Sequence, residues 1–331
     1  MNQQTLRDLF ASRSGGPGPW RGTGTSIACR DLMEQTGASF PEAHLQPEAM
    51  ARLAATGHTV LGFDIVMPLY SVCHEVAALG MDVSWGNPNA MPESGPPIFR
   101  TAAEIRIPPD FLTRSACVVP RQAIALLRQR LGDDCVVCGK VFGPWTLAYH
   151  LFGIENFLML TIDDPDEVRR ILERLVEVTR QFARVQIEAG ADCLLLGDHA
   201  TRDLCSPATY EQFVLPVHTQ LAQQIAAPLI LHICGNTLDR IPMIARTGVA
   251  AFHWDTKSGD PATVRRLAGE NLVLMGGVGN LMLLQGQPAE VAAQARQAAN
   301  DGIDIIGPEC AIPLGTPLVN LQAIAPAVNN R

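Results

Sequence analysis

Short apolar runs rich in β-branched residues alternate with longer amphipathic stretches along nearly the whole chain, and this alternation limits the fold more than any other feature. The runs GTSIA, LGFDIV, VVCGKVF, DCLLL, PLILHI, VAAFHW, LVLMG and IDII predict strands near 23–28, 61–66, 136–142, 192–196, 228–233, 249–253, 272–276 and 303–306. Helical patterns follow most of them, at 165–189, 207–225, 237–246, 260–268, 288–301 and 316–328, with Ser, Asp, Asn, Thr or Pro at each opening. Eight strands alternating with helices over 331 residues predict an α/β fold, the (β/α)8 TIM barrel. A doubly wound sheet shares the alternation, but the first βα turn carries no G-x-G-x-x-G run. A single domain over 1–331 is expected, with an N-terminal extension about 1–22 and an inserted loop about 86–111, dense in Pro and Gly, between the second and third strands. No internal repeat, low-complexity tract or composition break marks a second domain.

A chain that is 47% hydrophobic and 18% charged can bury a large core, and its net charge of -8 argues against nucleic acid or an anionic membrane as partner. No window approaches the roughly 18 unbroken apolar residues of a membrane span. The start, MNQQTLRDLFASRSGG, lacks the apolar core and cleavage site of a secretory signal, so a cytoplasmic location is expected. Nine cysteines, an odd number scattered over the whole length, do not suggest a disulfide framework. Reduced thiols are then available for metal, for catalysis or for the core.

In a TIM barrel, active sites form at the C-terminal strand ends, where the βα loops converge. LILHICGNT (229–237) ends the fifth strand with His232 and Cys234, two positions apart and therefore on one face. Cys310, in GPECAIPLGTP, lies just past the eighth strand. Three N/S ligands with a fourth position open is how a catalytic zinc site is built, as opposed to a closed four-ligand structural one. His232 and Cys234 alone suit a buried core pair equally well, so Cys310 on the same rim decides for metal. Asp198 and His199 end the fourth strand, Asp255 the sixth, and Gly276 and Gly277 the seventh. The two aspartates are suited either to the site, as proton acceptors or orienting groups, or to capping backbone amides. The glycines fit close backbone approach to a bound co-substrate better than phosphate binding, since no Lys or Ser/Thr follows as in a P-loop. Glu75 and His44 are further candidates for the mouth, and His253 is a lesser one. Cys135 and Cys138 form a CxxC, but residues i and i+3 of a strand face opposite sides, which argues against a redox or metal role.

The stretches LMEQTGASFPEAHLQPEAMARLA (32–54), EVAALGMDVSWG (75–86), LHICGNT (231–237) and GPECAIPLGTPLVNLQAIAPAV (307–328) resemble the uroporphyrinogen decarboxylase superfamily. Within it the chain is similar to the zinc-dependent methylcobalamin:coenzyme M methyltransferases. The resemblance spans nearly the whole chain and implies zinc held by His232, Cys234 and Cys310. The decarboxylase branch has an N-terminal Arg-Gln-Ala-Gly-Arg segment and a Gly-His pair before the last helix; this chain has ACRDLMEQTG and PECAIP there. Decarboxylases also carry a His-x-Cys-Gly stretch, so Cys310 is the discriminating residue.

The resemblance implies transfer of a methyl group from a methylated corrinoid to a small thiol such as coenzyme M. A free thiol is only a few per cent thiolate at neutral pH, whereas a thiol on zinc is deprotonated outright. Asp198 and Asp255 would accept the released proton or orient a ligand, and Glu75, Gly276 and Gly277 would line the corrinoid side. No Asp-x-His-x-x-Gly corrinoid motif occurs here, which implies a separate corrinoid protein as partner. Two alternatives remain on sequence grounds: a decarboxylase-like lyase without metal, and a non-catalytic relative that binds a corrinoid at the barrel mouth.

Overall fold

The computed structural model describes Phe10 and residues 19–328. Ten strands are present among them: β1 (Trp20–Arg21), β2 (Ile65–Val66), β3 (Val83–Ser84), β4 (Glu93–Ser94), β5 (Val136–Phe142), β6 (Cys193–Gly197), β7 (Leu229–Ile233), β8 (Ala251–Trp254), β9 (Val273–Val278) and β10 (Ile305–Pro308). All but β3 and β4 form one parallel sheet in the order β1-β10-β9-β8-β7-β6-β5-β2. Polar contacts close the seam between β1 and β2: the Asp64 N–H donates to the Arg21 carbonyl at 2.8 Å, and the Arg21 guanidinium grips the Asp64 carboxylate at 2.8 Å. The result is the expected (β/α)8 barrel. Among the described residues no helix is long and apolar enough to cross a membrane.

Local chemistry explains where most elements start. Asp164, Ser206 and Asp260 accept the N–H three residues on, and a proline follows each cap to open the helices at 165, 207 and 261. At the helix Pro288–Asn300 the Glu290 carboxylate reaches back to the Gln287 N–H.

Four expectations need correction. The first strand is Trp20–Arg21, not 23–28: residues 23–29 are buried, but the Thr25 N–H turns to the Thr23 hydroxyl and leaves the ladder. Most of the expected extension, about 1–22, lies outside the described residues, and its end already belongs to the barrel. The helix expected over 237–246 shrinks to Ile241–Ile244, because Gly235 is left-handed (φ 82°) and the Asn236 side chain binds the Leu238 N–H. The last helix splits into Leu318–Gln322 and Ile324–Val328, since Pro326 cannot donate to the Gln322 carbonyl. Sequence patterning also passed over the helices Pro47–Thr59 and Ser115–Leu131, which pack together outside β2. The 86–111 segment lies between β2 and β5, with β4 paired to β3 and a 3-10 turn at Ala102–Glu104.

Candidate functional site

β7 and the chain just past β10 bring three side chains to one point on the C-terminal rim. His232 stands beside His253 of β8 in the ladder, and its Nδ1–H donates to the His253 carbonyl at 3.1 Å. A carbonyl only accepts, so the proton sits on Nδ1 and Nε2 presents a lone pair. That Nε2 lies 2.9 Å from the Cys234 Sγ and 3.4 Å from the Cys310 Sγ, and the two sulfurs are 3.1 Å apart. A disulfide at about 2.05 Å is excluded by that separation. All nine cysteines are described; Cys234 and Cys310 are half-buried and the other seven are buried. The Cys234 thiol hydrogen bond holds the Cys310 thiol well below its ordinary value, and the same contact together with burial pushes Cys234 up.

The donor set fits a zinc ion. One imidazole nitrogen and two sulfurs form a triangle with sides of 2.9, 3.1 and 3.4 Å, slightly tighter than the roughly 3.5–3.8 Å edges expected around tetrahedral zinc. The bond from Nδ1 to the His253 carbonyl is the kind of outer contact that orients a metal-binding imidazole.

Around this triangle the protein fixes the loops. Asp255, expected to serve the reaction, has both oxygens bonded to the backbone: one accepts the Gly235 N–H at 2.8 Å and the other the Lys257 N–H at 2.9 Å. It therefore positions the residue after Cys234. Gly235 is required there, since φ is 82° and a Cβ would stand 2.7 Å from the Thr201 hydroxyl. Asp198 is likewise committed, accepting the Thr146 N–H at 2.7 Å and meeting His218 Nε2 at 3.0 Å, with both of these side chains fully buried. Glu309, which sequence reasoning missed, sits next to Cys310 and accepts the Thr256 N–H at 2.8 Å and the Asn280 N–H at 2.7 Å. It ties the β8, β9 and β10 loops together.

The remaining candidates separate clearly. Glu75 is completely buried; one oxygen accepts the Phe142 N–H at 2.8 Å, the other has no partner, and burial raises its pKa to about 7. Gly276 and Gly277 are buried, with packing reasons of their own: a Cβ would stand 2.9 Å from the Trp254 carbonyl and 2.6 Å from the Ala298 Cβ. His44 is buried against Phe40 and Trp85 with neither ring nitrogen bonded. His253 stacks on His232 at 4.6 Å, and its Nε2 bonds the Pro308 carbonyl at 2.8 Å. His199 is exposed on the rim. Cys138 faces Cys193 across the ladder instead of joining Cys135.

Another residue that sequence reasoning missed is Lys140 of β5. It is 6% exposed, and burial lowers its pKa, opposed by the charges of Cys310, Cys234 and Glu75. In VVCGKVF it reads as one position of a strand; only barrel closure reveals which face is inside.

Comparison with known proteins identifies the family. Residues 20–331 match the family described as uroporphyrinogen decarboxylase (URO-D). A methylated-thiol–coenzyme M methyltransferase of Methanosarcina mazei is 31% identical over 88% of this chain and 80% of its own length. A methylcobamide:CoM methyltransferase, MtaA, of Methanosarcina barkeri is 30% identical over 92% of this chain and 90% of its own. Among solved structures, a methyltransferase from Methanosarcina mazei superposes with a TM-score of 0.93 at 28% identity, covering 99% of this chain and 98% of that one.

Proposed function

The chain belongs to the uroporphyrinogen decarboxylase (URO-D) family, and from that premise we propose that it transfers a methyl group from a methylated corrinoid to a small thiol such as coenzyme M, with zinc at His232, Cys234 and Cys310. It is an enzyme, a corrinoid-dependent methyltransferase, by its kinship with the methylcobamide:CoM methyltransferases. The observation that carries the zinc reading is the convergence of one imidazole nitrogen and two sulfurs within 4.8 Å on the catalytic rim of the barrel.

When bound, zinc supplies the positive charge that keeps an acceptor thiol ionised at neutral pH, where a free thiol of pKa about 8.5 is mostly protonated. The reaction balances simply. The S–H bond breaks and its proton leaves; the sulfur–carbon bond forms as the cobalt–carbon bond breaks, and the electron pair stays on cobalt, giving cobalt(I) and a thioether. The chain's own residues prepare the site for this. The His253 carbonyl fixes the His232 tautomer, Asp255 and Glu309 clamp the loops bearing Cys234 and Cys310, and two protein thiolates would offset the charge of a bound ion, which would leave an acceptor sulfur its electron density. With the oxygens of Asp198 and Asp255 engaged by the fold, solvent at the rim takes the released proton. A separate corrinoid protein presents the methyl donor at the barrel mouth. The whole chain acts as one domain in this reading.

Metal analysis tests it. Reconstituted protein holds one zinc per chain, and Cys310→Ala loses most of it while the far-ultraviolet circular dichroism stays unchanged. Cys135→Ser with Cys138→Ser keeps the metal. Wild-type protein that binds no zinc after reconstitution disproves the reading.

A further inference from the structure

The chain contains only two lysines among 25 Lys and Arg residues, and one of the two is inside the barrel. Lys257 is exposed on the rim; Lys140 is buried in β5. A Cβ at Gly139 would point to the Gln186 side chain in the outer helix Pro165–Glu188, so the next residue along the strand points the other way, into the barrel. Its backbone is pinned from outside: Gln186 accepts the Lys140 N–H at 2.9 Å and donates to the Lys140 carbonyl at 2.8 Å, both bonds buried. The ammonium therefore has a fixed anchor.

Among the described residues no hydrogen bond or ion pair accompanies that ammonium. Its one described contact is the Phe142 ring, 4.8 Å from Nζ, and the groups whose charges act on it are Cys310, Cys234, Glu75 and Cys138. Glu75, the carboxylic acid in that set, has one oxygen turned to the Phe142 N–H and the other unpartnered. An ammonium has three donors and no acceptor, and among the described residues no protein acceptor takes up any of the three, which leaves them for a ligand. An anion arriving through the barrel mouth beside Cys234 and Cys310 satisfies them.

We infer that Lys140 is a substrate-binding residue that takes the anionic tail, sulfonate or carboxylate, of a thiol whose sulfur sits at His232, Cys234 and Cys310. A compact point charge on a flexible stem suits this narrow interior better than a guanidinium fork, which fits a chain that uses arginine for nearly every other cation. The inference rests on the proposed methyl-transfer reading and assigns one residue of this chain to recognition of the acceptor's negative group, a few bonds from sulfur. The rival role for Lys140, balancing the charge of the thiolates themselves, predicts no dependence on the tail.

Calorimetric binding to the zinc-reconstituted protein distinguishes them, with 2-mercaptoethanesulfonate, 3-mercaptopropionate and neutral 2-mercaptoethanol as probes. Wild-type protein binds the two anionic thiols more tightly than the neutral one. Lys140→Met weakens the anionic thiols about ten- to hundredfold, leaves 2-mercaptoethanol within about threefold, and retains its zinc. Lys140→Gln, similar in length and polar, gives the same selective loss if the methionine variant folds poorly. Equal weakening of all three thiols, or none, overturns the inference. Wild-type protein that binds every thiol alike and still methylates them removes Lys140's role only; wild-type protein that binds no thiol removes the methyl-transfer reading along with it.

Discussion

Replacing Asp255 with alanine separates a positioning carboxylate from a catalytic one. The side chain is buried, and its two oxygens hold the Gly235 N–H at 2.8 Å and the Lys257 N–H at 2.9 Å. Loss of the first leaves a buried donor without a partner, costing about 1–3 kcal/mol. Loss of the second removes the cap of the short turn Thr256–Ser258, costing about 0.5–2 kcal/mol. Together they destabilise the metal-free protein by about 2–4 kcal/mol, read as a lower urea midpoint with an unchanged slope. Because Gly235 follows Cys234 directly, zinc affinity falls as well, by about ten- to hundredfold in competition with a chromophoric chelator. Methyl transfer then recovers when zinc is raised to saturation. A variant with unaltered stability and zinc affinity but activity down a thousandfold would refute the reasoning and return Asp255 to the reacting atoms.

Asp198→Ala leaves His218 and the Thr146 N–H without their buried acceptor, so unfolding by denaturant should show a loss of about 3–5 kcal/mol; a loss below about 1 kcal/mol contradicts the network described for it. Glu75 predicts a pH effect of definite sign. Burial raises its folded pKa to about 7 from 4.5, so the folded state binds the extra proton between these values. Stability is therefore highest below pH about 4.5 for this group and falls by about 3 kcal/mol as pH rises through about 7, after which it levels off. Glu75→Gln keeps an acceptor for the Phe142 N–H and removes that slope; an unchanged pH profile in the variant refutes the assignment.

How much of this was legible in the sequence depends on what carried the signal. The interior strands β5, β6, β7 and β9 announce themselves as continuous apolar runs because helices cover their outer face, and the predicted ranges agree to within a few residues. β1 does not: two residues long, it is defined by pairing with Ile305 and Ile306, while the apolar segment after it is buried without a ladder. Burial and strand pairing are different properties, and an apolar run reports only the first. The helix Ser115–Leu131 was hidden by Pro120 in its interior. At the site, the spacing of His232 and Cys234 and the rim position of Cys310 follow from strand periodicity and barrel topology. Lys140 and Glu309 escaped because a charged residue in or after a strand ordinarily reads as solvent-facing. Their burial depends on closure of the barrel around them, which is a long-range property. Asp198 and Asp255 show the converse: position on the rim was legible, but the backbone amides that occupy their oxygens come from other loops.

The most direct test of the account mixes zinc-loaded protein with methylcobalamin and 2-mercaptoethanesulfonate and follows the cobalamin spectrum. Conversion of the methyl-cobalt spectrum to that of cobalt(I), with an equal amount of methyl thioether formed, is the result the account predicts, and His232→Ala and Cys310→Ala abolish it. Carbon dioxide released from uroporphyrinogen, indifferent to a chelator and with no change in the cobalamin spectrum, would contradict it.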